Sequence, residues 1–190
     1  MKKILLVLGH PNTNSLNRDL LESYYQSALK RGHEVRKIFL GEINFNLNLK
    51  EGYNEVQELE PDLKKAQEDI LWADHLVFVF PIWWYNLPAV FKGFIDRVFL
   101  PGFAFKFENN SSIPDKLLTG KTADIICTSG APKIYYFIKG GNSGAKILKN
   151  TLNFCGIKVR RKILLGSISG ELKAEKLDKY HNIIQKMVIK

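Results

Sequence analysis

Three short segments, each directly following a run of apolar residues, hold most of the residues able to do chemistry: Gly9 to Asn17 (GHPNTNSLN), Pro81 to Asn86 (PIWWYN) and Thr128 to Pro132 (TSGAP). In the first, Asn12, Thr13, Asn14, Ser15 and Asn17 gather side-chain donors where a helix is predicted to begin. A helix N-terminus adds free N–H groups and a partial positive charge, so phosphate could be held there without lysine. Ser15 could equally cap the helix while the asparagines shape a turn; the residue types leave both readings open. The segment lacks the GKS/T of a P-loop and the GxGxxG of a nicotinamide-binding Rossmann site.

The second segment sets Trp83, Trp84 and Tyr85 in a row beside Pro81 and Ile82. Three consecutive aromatics cannot all face a core, so at least one is predicted to present its face to a planar ring, with backbone N–H groups available to ring carbonyls and nitrogens. Trp83 or Tyr85 is expected to pack beneath a neighbouring loop. The third segment, Thr128, Ser129, Gly130 and Ala131, is small enough for a backbone to approach such a ring edge-on. Together these loops point to a flat, phosphorylated, redox-active guest. Cofactor chemistry of that kind needs no side-chain nucleophile, in keeping with a chain that shows no Ser-His-Asp pattern or paired carboxylates. Cys127 and Cys155 stand far apart without CxxC or a histidine cluster, so buried reduced thiols and no metal site are expected.

The elements that must position these loops follow from periodicity. Ile4 to Leu8, Leu76 to Phe80 and Thr122 to Thr128 read as strands covered on both faces, with Val35 to Leu40 and Lys158 to Leu165 as two more. Between them fall helices: Leu16 to Gly32 with Leu20, Leu21, Tyr24 and Ala28 inward, one from Pro61, one from Pro88, Ala145 to Cys155, and one from about Glu171 to the end. Gly41 to Tyr53 is predicted as loop, and Pro101 to Gly120 is long for a connection, hence mobile or functional. Strands alternating with helices imply a parallel sheet between two helical layers. The prediction is a single α/β domain over residues 1–190, a flavodoxin-like three-layer sandwich with a five-stranded sheet of order 2-1-3-4-5, whose ligand crevice lies at the carboxyl ends of the strands.

Lys and Arg number 28 against 19 acids, a net charge of +9 that favours anionic partners, dinucleotides included. The basic residues are dispersed and carry no nucleic-acid signature, so no nucleic-acid partner is expected. Five apolar residues after Met1-Lys2-Lys3 are too few for a signal peptide, and no apolar run approaches the ~20 residues of a membrane helix; a cytoplasmic protein without membrane insertion is expected. A phospho-acceptor signalling domain shares the sheet order, but the acids it needs after strands one and three are here His10 and Pro81. His33 and His75 at strand starts and His181 on the last helix are expected to be structural or solvent-facing.

GHPNTNSLN, PIWWYNLPAVFKGFIDRVFLPGFAF, TSGAP and NFCG together resemble the flavodoxin-like NAD(P)H:quinone oxidoreductase family, from Lys3 to about Ser169. The resemblance implies a noncovalent flavin that takes a hydride from NAD(P)H and passes two electrons to a quinone-like acceptor in a separate half-reaction. It places His10, Ser15, Leu16 and Asn17 on the phosphate and ribityl chain. It places Pro81, Ile82, Trp84, Tyr85, Thr128, Ser129, Gly130 and Ala131 around the isoalloxazine. Tyr136 takes the active-site tyrosine position, and Phe103, Phe105 and Phe107 line the acceptor pocket near a homodimer interface. The histidine that better-known relatives carry shortly after this tyrosine is missing here, leaving Tyr135, Lys139 or solvent to handle protons. The chain also lacks the extra C-terminal region of larger FAD-binding members, which favours FMN over FAD. Some relatives instead regulate potassium-efflux transporters, and an electron shuttle is a related alternative.

Overall fold

Burial sorts the strands before their order is considered. In the computed structural model, which describes residues 1–108, 113–138, 143–168, 170 and 172–189, β1 (Lys3–Leu8), β3 (His75–Pro81) and β6 (Thr122–Thr128) are buried almost throughout. By contrast β2 (Glu34–Phe39) and β7 (Lys158–Leu165) expose Glu34, Arg36, Lys158 and Arg160. Charges on a strand guard an open edge against pairing with another chain. The sheet follows that logic: all parallel, in the order β2-β1-β3-β6-β7. Counting only its own strands, this is the expected 2-1-3-4-5.

Helices α1 (Leu16–Lys30) and α6 (Ala174–Met187) cover one face, packing Leu20, Leu21, Tyr24, Ala28, Ile184 and Met187 on β1 and β3. Helices α2 (Pro61–Trp72), α3 (Ala89–Val98) and α5 (Ser143–Phe154) cover the other with Leu63, Ile70, Phe91, Phe94, Leu148 and Leu152. Two features are new relative to the sequence reading. A two-residue pair, β4 (Phe105–Lys106) with β5 (Asp115–Lys116), lies inside the Pro101–Gly120 connection, and a six-residue helix α4 (Lys133–Ile138) follows the TSGAP loop. Both are too short to show a period. The last helix starts at Ala174, with Glu171 outside the described residues.

The irregular segment after β2 is anchored from beneath. Arg97 of α3 is fully buried, and its guanidinium donates to the carbonyls of Asn46 (2.6 Å) and Glu58 (2.9 Å) and to the Glu60 carboxylate (2.8 Å). Burial works to raise the Glu60 pKa, but the Asn46 backbone N–H and Arg97 outweigh it and hold the carboxyl below its ordinary value.

Candidate functional site

Parallel pairing brings the ends of β1, β3 and β6 level, with Leu8 opposite Val79 and Phe80 opposite Cys127. The three loops therefore emerge side by side. The first is pinned by close packing: a Cβ on Gly9 would come within 2.6 Å of the Phe91 ring, and one on Gly41 within 2.1 Å of the Pro11 carbonyl oxygen. Its turn is closed locally, since Asn14 N–H donates to Asn12 Oδ1 (2.8 Å) and Asn12 N–H to His10 Nδ1 (2.9 Å). Burial lowers the His10 pKa, favouring the neutral ring that this acceptor role requires.

Two side chains at the start of α1 separate the capping and phosphate readings. Ser15 occupies the N-cap position with extended backbone, yet its hydroxyl makes no capping bond. Its Oγ is buried and has no hydrogen-bond partner among the described residues. A buried hydroxyl left in that state, beside the free N–H groups of a 15-residue helix, fits an anionic ligand and not a cap. Asn17 is buried, its Oδ1 accepting from Thr128 Oγ1 (3.1 Å), so it ties the first loop to the third. Leu16 is half-buried at the same helix start.

The aromatic segment forms a tight turn. Trp83 and Asn86 exchange backbone hydrogen bonds (3.2 and 2.9 Å), and the two residues between them, Trp84 (φ 49°) and Tyr85 (φ 62°), both lie in the left-handed region. That is a type I′ turn, which ordinarily takes Asn or Gly, and backbone strain of this kind gathers at functional sites. The indole of Trp84 is 95% exposed. Trp83 packs its ring edge on His10 at 5.4 Å, and Tyr85 sits half-buried against Tyr136 at 5.6 Å. Ile82 is buried, with its N–H bound to the Thr128 carbonyl (2.8 Å), and Pro81 closes β3.

Thr128 and Ser129 are buried, Ala131 is half-buried and Gly130 is exposed. A side chain at Gly130 would meet only one atom, the Ile168 carbonyl oxygen at 3.5 Å, so the space above it is open. The loop is stapled by a segment absent from the sequence reading: Ile168 N–H donates to Ser129 O (3.0 Å) and Ser167 N–H to Ala131 O (2.9 Å). Gly166, whose Cβ would come within 2.9 Å of the Ala131 carbonyl oxygen, was the available signal.

Tyr136, in α4, is buried, and burial raises its pKa, with the Ser129 hydroxyl partly offsetting this. Beside it the Tyr85 and Tyr135 hydroxyls share a hydrogen bond of 2.7 Å, which raises the Tyr85 pKa. Lys139 lies outside the described residues.

The three phenylalanines lie elsewhere. Phe105 packs edge-on to Phe107 (5.8 Å) and Phe154 (5.0 Å), and Phe105 and Phe107 line an apolar cavity of about 630 Å³ between α3 and α5; Phe103 is half-buried nearby. The lining of that cavity shares no residue with the loops above. Within one chain, then, the crest and the phenylalanine cavity are separate. Among the described residues no cluster of His, Cys, Asp and Glu could hold a metal, and no helix is long and apolar enough to cross a membrane.

Comparison with known proteins fits this architecture. The chain matches the flavodoxin-like fold family over residues 2–188. An uncharacterised NAD(P)H oxidoreductase of Haemophilus influenzae is 32% identical over 86% of this chain and 83% of its own length. Human ribosyldihydronicotinamide dehydrogenase (quinone) is 28% identical over 83% and 78%. A crystal structure from Streptococcus mutans superposes with a TM-score of 0.80 at 33% identity, covering 97% of this chain and all of the other. On sheet order, crest loops and these matches, the chain belongs to the flavodoxin-like fold family.

Proposed function

We propose that the protein is a flavin-dependent NAD(P)H:quinone oxidoreductase. The observation that carries the reading is the Ser15 hydroxyl, buried without a partner at the start of α1, while a strained turn beside it holds an uncovered indole. The names of the Haemophilus and human relatives support the reaction class. Bound at this crest, a flavin would supply hydride chemistry between NAD(P)H and a quinone-like acceptor, in separate half-reactions.

His10, Ser15, Leu16 and Asn17 are assigned to the phosphate and ribityl chain, where the N-terminus of α1 contributes its positive end. Pro81, Ile82, Trp84 and Tyr85 from one side, and Thr128, Ser129, Gly130 and Ala131 from the other, bracket the ring. Tyr136 offers a proton at its Oη, and the Tyr85–Tyr135 hydroxyl pair offers a second donor in place of the missing histidine. FMN is the flavin we assign to the crest. Phe103, Phe105 and Phe107 are assigned to the acceptor pocket of a homodimer: Phe107 and Phe154 are 55% and 42% exposed beside the apolar cavity, a surface more economically covered by a second copy.

Steady-state oxidation of NADH or NADPH by the FMN-loaded protein, with a quinone present, tests the reading. Turnover that depends on both flavin and quinone is expected. A protein that retains flavin without turning over would point to a shuttle or regulatory role instead. Sedimentation at micromolar protein is expected to show a dimer of the 21.8 kDa chain.

A further inference from the structure

The opposite edge of the sheet, where the strands begin, holds a second cavity of about 580 Å³ that the redox reading does not use. Its lining contains five cations, Lys2, Arg31, Arg160, Arg161 and Lys186, against a single carboxylate, Asp74. Those residues come from five places in the chain: the start of β1, the end of α1, the start of β7, the end of α6 and the residue before β3. Among the described residues none of the five cations has a carboxylate within 4 Å. Asp74 is itself engaged, accepting the Lys3 N–H at 2.9 Å. Concentrating like charge around a concave surface costs free energy through mutual repulsion, and a multivalent anion would relieve it.

Two of the cations are held in place. The Arg31 guanidinium donates to the carbonyls of Gln185 and Val188, and Arg161 donates to the carbonyl of Lys186 (2.9 Å). Each guanidinium carries five N–H donors, so these bonds fix the group and leave further donors for a ligand. Capping the end of α6 accounts for those two arginines but not for Arg160, Lys2 or Lys186. Thr122 and fully buried His75 also line it, joined Oγ1 to Nδ1 at 2.8 Å; the Nε2 of His75 makes no hydrogen bond among the described residues and faces the buried Asp124 carboxylate at 3.4 Å. The lining thus pairs a ring of cations with polar side chains, in a volume within the range of small-molecule sites.

We propose that this cavity is an anion site for a chain of phosphates, such as the di- or triphosphate of a nucleotide or free polyphosphate, distinct from the crest and at the other end of strands about 20 Å long. Calorimetric titration of the protein, with FMN saturating the crest, uses two probes: sodium tripolyphosphate and ATP. Saturable binding of one tripolyphosphate per chain is expected, weakened at least about tenfold in the doubly charge-reversed Arg160→Glu/Lys186→Glu protein. Both residues are exposed, and the milder Lys2→Ala/Lys186→Ala pair repeats the measurement should the reversal perturb folding. Charge reversal at Lys50 and Lys64, exposed and absent from this lining, is expected to leave affinity within about twofold at physiological ionic strength. Equal affinities for the two probes identify phosphate alone as the determinant, and tighter ATP adds a nucleoside contact; either supports the site. Absence of saturable binding, or equal losses in the cavity and control variants, overturns it.

Discussion

Replacing Ser15 by alanine separates the two roles a serine can play at a helix start. A capping serine stabilises its helix by about 1 kcal/mol, and alanine forfeits that. Here the Ser15 hydroxyl makes no capping bond and is buried without a partner, so alanine removes nothing from the ligand-free protein except a buried polar atom. Stability of the ligand-free variant in urea is therefore expected to equal or slightly exceed that of the parent. Flavin affinity behaves oppositely. A hydroxyl donating to phosphate is a charge-assisted bond worth about 1.5–3 kcal/mol, which converts to roughly 10- to 150-fold in Kd. Titration of FMN followed by quenching of its fluorescence measures that ratio directly. A variant that loses about 1 kcal/mol of stability while binding FMN as before would refute the phosphate assignment and make Ser15 a cap.

Other perturbations report on neighbouring parts of the crest and on the segment behind it. Trp84→Gly puts the residue a type I′ turn prefers at an exposed, left-handed position, so urea unfolding is expected to show a gain of up to about 1 kcal/mol alongside several-fold weaker FMN binding. Tyr136→Phe is expected to lower acceptor turnover, by up to about 10²-fold, with flavin content unchanged by absorbance. Arg97→Met strands the Asn46 and Glu58 carbonyls and the Glu60 carboxylate, at an expected cost of about 3–5 kcal/mol in denaturant unfolding. Because the folded Glu60 carboxyl lies below its ordinary value, its stabilisation is complete above the unfolded pKa and is lost as pH falls through the folded one; Arg97→Met is expected to flatten that loss on acidification below the ordinary carboxylate range.

What could be read in advance divides by length scale. The apolar runs within β1 and β3, the mostly apolar run of β6 with its buried Asp124, and the charged runs of β2 and β7 distinguish centre from edge strands in their composition, because the two meet different surroundings. Crest loops were visible for the same reason, as breaks directly after those runs. The Trp84–Tyr85 turn was not, since neither residue is one that a left-handed turn ordinarily selects. Helix α4 and the β4–β5 pair escaped notice because six and two residues hold too little periodicity. The segment Gly166 to Ile168 was overlooked because it acts through backbone N–H groups, which any residue but proline supplies. Neither role of Ser15 could be chosen from residue type, because both use the same hydroxyl; only the missing capping bond distinguishes them.

The hydrogen bond between Thr128 and Asn17 joins residues 111 apart in the chain. A ribosome releases the chain from its N-terminus, so the first loop emerges well before its partner on β6 exists. The pocket rim consequently cannot be completed until about two-thirds of the polypeptide has been made, and any ligand gripped by both loops is captured late in biogenesis, after β1, β3 and β6 have joined across wide loops of intervening sequence.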